Sequence, residues 1–285
     1  MSEFDDLRPH LRGLAYRMLG SIADADDVVQ DAFIRWQTVD AATVEHPRAY
    51  LSKLVTRLCI DRATSARARR ETYVGEWLPE PVVDDAALAP DTATELANDV
   101  SVALLLTLER LSPLERAAFL LADVFDMDYS AIGEALGRSE AACRQLALRA
   151  RTHVHEERPR FSPSAEASTK LMSAFRDAVA TGDVTRVTSL LAEDCVLHTD
   201  GGGKRRAALN PIYGREKILR FFIGVMAKRG GAEWKPEIEW ARINGLPGFI
   251  IRDGEEVETF AIEHDGERIN RIYGVRNPDK LRHLS

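Results

Sequence analysis

The chain has 285 residues, 45% of them hydrophobic and 29% charged, with a formal net charge of -7. That length accommodates two or three domains with cores of their own. No apolar run approaches the ~20 residues of a membrane helix, and the acidic start Met1-Ser2-Glu3-Phe4-Asp5-Asp6 lacks a secretory signal. No membrane is therefore expected as a partner, and the cytoplasm is the expected compartment. Cys59, Cys143 and Cys195 are odd in number and scattered, which excludes a disulfide framework or a zinc knuckle. Neither a metal nor a cofactor is expected.

Residues 1–73 read as a helical domain. Leu7, Leu11, Leu14, Met18 and Leu19 recur at helical spacing, and from Asp24 onward Val28, Val29, Ala32, Phe33 and Trp36 form one stripe. Asp26, Asp27, Gln30 and Asp31 fall mostly off that stripe. Thr38 to Pro47 breaks the period and reads as a loop. The following basic helix, Arg48 to Arg69, buries Leu51, Leu54, Val55, Leu58 and Cys59. Charge is segregated: Met1 to Glu45 holds nine acids and four Lys/Arg, whereas His46 to Thr72 holds seven Lys/Arg and two acids. Local sign matters for nucleic acid, because phosphate attraction is screened within about 10 Å.

Residues 74–99 change character. Glu76 to Asp99 contains seven acids, no Lys or Arg, and Pro79, Pro81 and Pro90, so it reads as a linker. Trp77-Leu78-Pro79-Glu80-Pro81 is nevertheless too apolar for an idle tether and predicts docking. Residues 100–160 form a second helical unit. Ser112-Pro113-Leu114-Glu115 is a helix start with N-cap, proline and capping-box glutamate. Tyr129 to Leu136, Gly137-Arg138-Ser139 and Glu140 to Arg151 then read as a helix-turn-helix, with Ser139 as a cap and Gly137 ending the earlier helix. This geometry projects Ser139, Glu140, Ala141, Arg144 and Gln145 toward base edges. Arg138, Arg149 and Arg151 suit backbone phosphates. Cys143, Leu146 and Leu148 are expected in the core.

Residues 165–285 use another alphabet. Amphipathic helices are predicted at Ala165 to Ala180, Asp183 to Leu191 and around Ile218 to Met226. Asn244-Gly245, Asp253-Gly254 and Asp265-Gly266 then punctuate β-segments at Ile238 to Ile243, Phe249 to Arg252, Val257 to His264 and Arg268 to Val275. Such dipeptides suit hairpin turns, and helices before a meander indicate an α+β domain. The fold class is thus multidomain: two all-α domains followed by an α+β domain.

The order of acidic helix, loop, basic helix and helix-turn-helix across Phe4 to His155 resembles the extracytoplasmic-function sigma factors. The resemblance implies that sigma region 2 grips the polymerase clamp and melts the minus-ten element, and that sigma region 4 binds the minus-thirty-five element. Asp26, Asp27, Val28, Gln30 and Asp31 match the family's clamp-binding stretch. Thr38 to Pro47 matches a loop capturing a flipped base, although it lacks aromatic residues. Arg48, Lys53, Arg57, Arg62, Arg67, Arg69 and Arg70 match the basic helix near promoter phosphates. Core RNA polymerase and promoter DNA are the implied partners.

Three further strings, Trp77 to Pro81, Asp200-Gly201-Gly202-Gly203-Lys204 and Asn277-Pro278-Asp279-Lys280-Leu281, look like the SigJ-type group, whose fused SnoaL-like extension is an NTF2-like cone. That resemblance implies an extension that modulates activity, with a small ligand as a further expected partner. The glycine string lacks the spacing and Lys-Ser/Thr ending of a P-loop and reads as an interdomain turn, expected to meet Trp77 to Pro81 and Asn277 to Leu281. Two alternatives stand beside the sigma reading. One is a ligand-responsive DNA-binding repressor, which leaves Phe4 to Thr72 unexplained. The other is a fused SnoaL-like enzyme with His198, Asp200, Tyr213 and His264 as candidates.

Overall fold

The computed structural model describes residues 3–40, 43–70, 73–84, 102–157 and 163–284, without the side chains of 65–70, 84, 155–157 and 232. They divide into two compact units. One comprises Met1–Thr72 and Thr94–Arg158, the other Tyr73–Ala93 and Pro159–Ser285. The first described part of the linker thus belongs with the third domain, and its residues 85–99 lie outside the described residues.

The first unit begins with α1 (Glu3–Leu19), α2 (Ile22–Trp36) and α3 (Pro47–Arg70). Gly20, at φ 66°, ends α1, and the Ser21 hydroxyl caps α2 by accepting from the Asp24 amide at 3.1 Å. Helical spacing then turns Ala25, Val28, Val29, Ala32 and Trp36 inward, against Leu11, Leu14 and Met18 of α1 and Leu51, Val55 and Cys59 of α3. Next come α4 (Val102–Arg110), α5 (Pro113–Phe119), α6 (Tyr129–Leu136) and α7 (Glu140–Glu157). The capping box forms: the Glu115 amide donates to the Ser112 hydroxyl, and the Ser112 amide to the Glu115 carboxylate. Between α5 and α6, Leu120–Val124 widens into a π-turn. Gly137, in the left-handed region at φ 63°, ends α6. At the tight turn a side chain on Gly133 would meet the Arg138 carbonyl at 2.8 Å.

The two helical domains join within this unit through buried polar contacts. Arg116 of α5, 4% exposed, donates to the Met18 carbonyl and to the Glu109 carboxylate. His10 of α1 meets Phe125 edge-on at 4.9 Å, and Arg17 lies over the same ring.

The second unit is an α+β cone. Helices α8 (Ala165–Thr181), α9 (Val184–Leu190) and α10 (Arg215–Lys228) accompany a sheet of β1 (Val83–Asp84), β2 (Leu191–Asp200), β3 (Ile212–Tyr213), β4 (Glu237–Ile243), β5 (Leu246–Asp253), β6 (Glu256–His264) and β7 (Ile269–Val275). Its order is β1-β4-β5-β6-β7-β2-β3. The expected meander β4 to β7 is antiparallel, and Asn244 and Gly245 both take positive φ at its first hairpin. Two features were not legible in the pattern: β2 lies parallel to β7, and two linker residues form β1 on the edge of β4. Leu171, Phe175, Leu197, Ile218, Phe260 and Ile262 are among the core residues between helices and sheet.

Candidate polymerase and nucleic-acid interfaces and the linker clamp

The α7 face is open. Ser139 caps the helix, its hydroxyl accepting from the Ala142 amide at 3.3 Å, and Ser139, Glu140, Ala141, Arg144 and Gln145 are exposed. Arg144 pairs with Glu140 one turn earlier and lies over the Tyr129 ring of α6 at 5.1 Å. Cys143 is buried. Leu148, expected in the core, is 61% exposed instead: it continues the stripe 141, 144, 145, 148, because positions three and four apart share a face. That placement was visible in the spacing. Arg138 and Arg149 are exposed. Arg151 is engaged, donating to Asp123 at 2.9 Å and to the Tyr129 hydroxyl at 2.7 Å; those two acceptors draw it off the phosphate-facing set and raise its pKa.

The basic helix α3 behaves differently. Arg57 donates from Nε to the Ala135 carbonyl at 2.9 Å and from Nη2 to the Glu134 carbonyl at 2.6 Å. Both carbonyls belong to the last turn of α6, where intrahelical donors run out and the helix dipole is negative, so a planar guanidinium fits the end of that helix. Lys53 pairs with the Glu134 carboxylate. Arg62 bridges Asp24 at 2.7 Å and Asp27 at 2.6 Å, and Arg48 donates to His10 Nδ1 at 3.2 Å. Four residues read from sequence as phosphate contacts thus have partners within their own unit. Arg67, Arg69 and Arg70 continue α3, but their side chains lie outside the described residues.

On α2, Asp26, Asp27, Gln30 and Asp31 are exposed, with Asp26 held by Arg12 at 2.5 Å. Val28 is 1% exposed, a core residue of the inward stripe rather than a contact. The outer face also carries Ile34, 54% exposed, which the sequence reading passed over. Beside the Thr38 to Pro47 loop, half-exposed Tyr50 lies 5.8 Å from Trp36. Of that pair only Tyr50 is exposed, since Trp36 belongs to the buried stripe of α2.

In the second unit the three singled-out strings meet. Asp200, fully buried, accepts from the Leu78 amide at 2.9 Å, the Tyr73 hydroxyl at 2.6 Å, the Gly202 amide at 3.0 Å and the Lys280 ammonium at 2.7 Å. Lys280 also donates to the Leu78 carbonyl and lies 4.2 Å from the Trp77 ring centroid. Asn277 donates to Tyr73 at 2.8 Å and caps the short turn Pro278–Lys280. Gly201, Gly202 and Gly203 let the backbone approach: a side chain on Gly202 would strike Asn277, and one on Gly203 would crowd Val74. Lys204 pairs with Asp279, Leu281 is buried, and Glu80 is 8% exposed. Outside those strings, His198 pairs with Glu76 at 2.7 Å, and His283 contacts the Pro81 carbonyl at 2.8 Å. Burial pushes the Tyr73 hydroxyl up, and the neighbouring Asp200 adds to this.

None of His198, Asp200, Tyr213 and His264 lines the cavity between the helices and the sheet. His198 and Asp200 face the linker, Tyr213 is 63% exposed, and His264 contacts Ser168 at 3.0 Å. Among the described residues there is no cluster of three metal-binding side chains.

An exposed acidic helix, a basic helix and an open helix-turn-helix in one unit define a transcription-initiation protein of the sigma-70 class. The sigma-70 region 2 model matches residues 4–69 and the sigma-70 region 4 model residues 101–154. The chain belongs to the extracytoplasmic-function family of RNA polymerase sigma factors. It is 38% identical to the ECF RNA polymerase sigma factor SigJ of Mycobacterium tuberculosis, over 99% of this chain and 93% of that protein. It is 34% identical to the probable sigma factor SigI of the same species over 65% of this chain and 64% of that one. The crystal structure of M. tuberculosis SigJ superposes with a TM-score of 0.79 at 36% identity, covering 98% of this chain and 97% of that one. The family accounts for the segment that the repressor reading left unexplained. No helix among the described residues is long and apolar enough to cross a membrane.

Proposed function

We propose that this sigma factor engages core RNA polymerase through the α2 face bearing Asp26, Asp27, Gln30 and Asp31, and reads minus-thirty-five DNA through Ser139, Glu140, Ala141, Arg144, Gln145 and Leu148. As a member of its family it directs promoter-specific transcription initiation. Its C-terminal SnoaL-like domain acts as a built-in regulator rather than an enzyme. The observation that carries this reading is the linker clamp. The segment that must span region 2 and region 4 is partly taken up by the C-terminal domain, through Asp200, Lys280 and the β1–β4 pairing. Anchoring a tether shortens its free length and changes the effective concentration of the modules it joins. The cavity of the same domain supplies a place for a small molecule to act on that regulator.

Reconstituted transcription with Asp200→Ala tests the reading. The substitution leaves Lys280 buried without its carboxylate, a loss of about 3–5 kcal/mol, and releases Trp77 to Pro81. Lys280→Met, which removes the cation instead and keeps the volume, serves as the partner variant. The expected result is faster proteolysis at Trp77 to Val83 and an altered ratio of promoter-specific to core-only transcription. Unchanged promoter selectivity in a folded, linker-released variant would reduce the C-terminal domain to a passenger.

A further inference from the structure

Between the helices and the sheet of the C-terminal domain lies a cavity of about 300 Å³. Phe175, Leu219, Phe222, Phe249, Phe260 and Ile262 dominate its walls, and among the described residues its charged or hydroxyl-bearing lining is Thr199, Arg229, Glu258 and Arg276. Apolar cavities of about half that volume stay dry and take up benzene, so this one has room for a two-ring aromatic or a medium acyl chain. Thr199 is committed to the Ala208 backbone.

The other three polar groups form one cluster. Glu258 is 5% exposed, and a single carboxylate oxygen receives both the Arg229 guanidinium and, at 2.8 Å, that of Arg276. Arg229 is further fixed over the Trp234 ring at 4.8 Å from its centroid. Arginine does not lose its proton in proteins, so two cations face one anion at one end of an otherwise apolar chamber. A cationic guest would meet a positive end, and a neutral guest would leave the excess uncompensated where charge is poorly screened. A carboxylate matches a planar guanidinium with paired hydrogen bonds.

Resting on the reading of the cavity as a ligand site, we infer that it binds a hydrophobic carboxylate, the aliphatic or aromatic body against the Phe walls and the head at Arg229 and Arg276. Calorimetric titration of the full chain with three isosteric probes tests it: naphthalene-2-carboxylate, naphthalene-2-carboxamide and 2-naphthylmethylammonium. The carboxylate should bind one-to-one, roughly 10- to 100-fold tighter than the amide, and the ammonium should not saturate. Arg229→Gln leaves Glu258 its Arg276 partner and should remove most of the carboxylate's advantage while leaving the amide unchanged. Val179→Phe, which fills the chamber without touching its charges, should weaken carboxylate and amide together. Equal binding of carboxylate and amide, or an equal loss of both in Arg229→Gln, would overturn the ligand class but keep the cavity as a site. Binding unaffected by Val179→Phe, or no binding of any probe, would overturn the cavity reading itself.

Discussion

Helices α3 and α7 are both arginine-rich, both sit in modules that meet promoter DNA in this family, and both read from sequence as nucleic-acid contacts. They end in opposite states. On α7 the residues Ala141, Arg144, Gln145 and Leu148 form an exposed stripe. On α3, Lys53 and Arg57 are taken by the end of α6, and Arg62 by two aspartates of α2. A cation count measures how much positive charge a helix carries. It does not measure how much of that charge is available, because a helix C-terminus offers carbonyls that compete with phosphate oxygens. In this arrangement the end of α6 occupies Lys53 and Arg57.

The largest test of that contrast is Arg116→Met. Burial holds this guanidinium down to a pKa of about 10, and its loss strands the Met18 carbonyl and the Glu109 carboxylate. A cost of about 3–5 kcal/mol is expected, read as a fall in the thermal midpoint together with faster hydrogen exchange along the α3–α6 contact. Intact protection at α6 would show that the two helical domains hold together without it.

Arg144→Ala addresses the open helix. A base-reading contact should cost about 1–3 kcal/mol at one promoter position, whereas a phosphate contact would weaken all sequences and reduce the salt slope by about one. Binding titrations on single-base promoter variants separate these, and a uniform loss would move Arg144 into the phosphate class with Arg149.

His10 gives a pH test on the α3 side. Its ring accepts from Arg48 at Nδ1 and faces Ser52 at Nε2, so the neutral form is the one held. Burial, then Arg48 and Arg17, push its pKa down from 6.5 to about 4. Because the folded value lies below the unfolded one, the unfolded chain binds the proton first as pH falls. Stability is full above about 6.5 and is lost progressively toward 4. In chemical denaturation, His10→Gln should flatten that window; an unchanged pH slope would remove His10 as its source.

The smallest expected effect belongs to Glu134→Gln. The pair with Lys53 is exposed on the glutamate side, 67% against 23%, so stability should change by less than about 1 kcal/mol. Affinity for nonspecific duplex DNA should nevertheless rise, with a steeper salt dependence, as Lys53 is released. A DNA affinity that does not move would mean that Lys53 is no competitor for phosphate.

Helix positions, caps and hairpin turns were legible in the sequence because their causes are local: 3.6-residue spacing, Ser112 and Glu115, Gly137, Asn244-Gly245. The meeting of Trp77 to Pro81 with Asp200 to Lys204 and Asn277 to Leu281 was also anticipated, since an apolar motif among prolines and acids needs cover. Three-dimensional packing alone decided the rest. Val83 and Asp84 become a strand only because β4 offers a free edge, and β2 runs parallel to β7 through pairing that no short window encodes. Val28 is core and Leu148 is surface because the neighbouring helices cover one and not the other. Above all, the availability of the α3 cations depends on acceptors far along the chain, Glu134 for Lys53 and Asp24 for Arg62. Periodicity records which side of a helix is polar, whereas long-range hydrogen bonding determines which polar groups remain open to a partner.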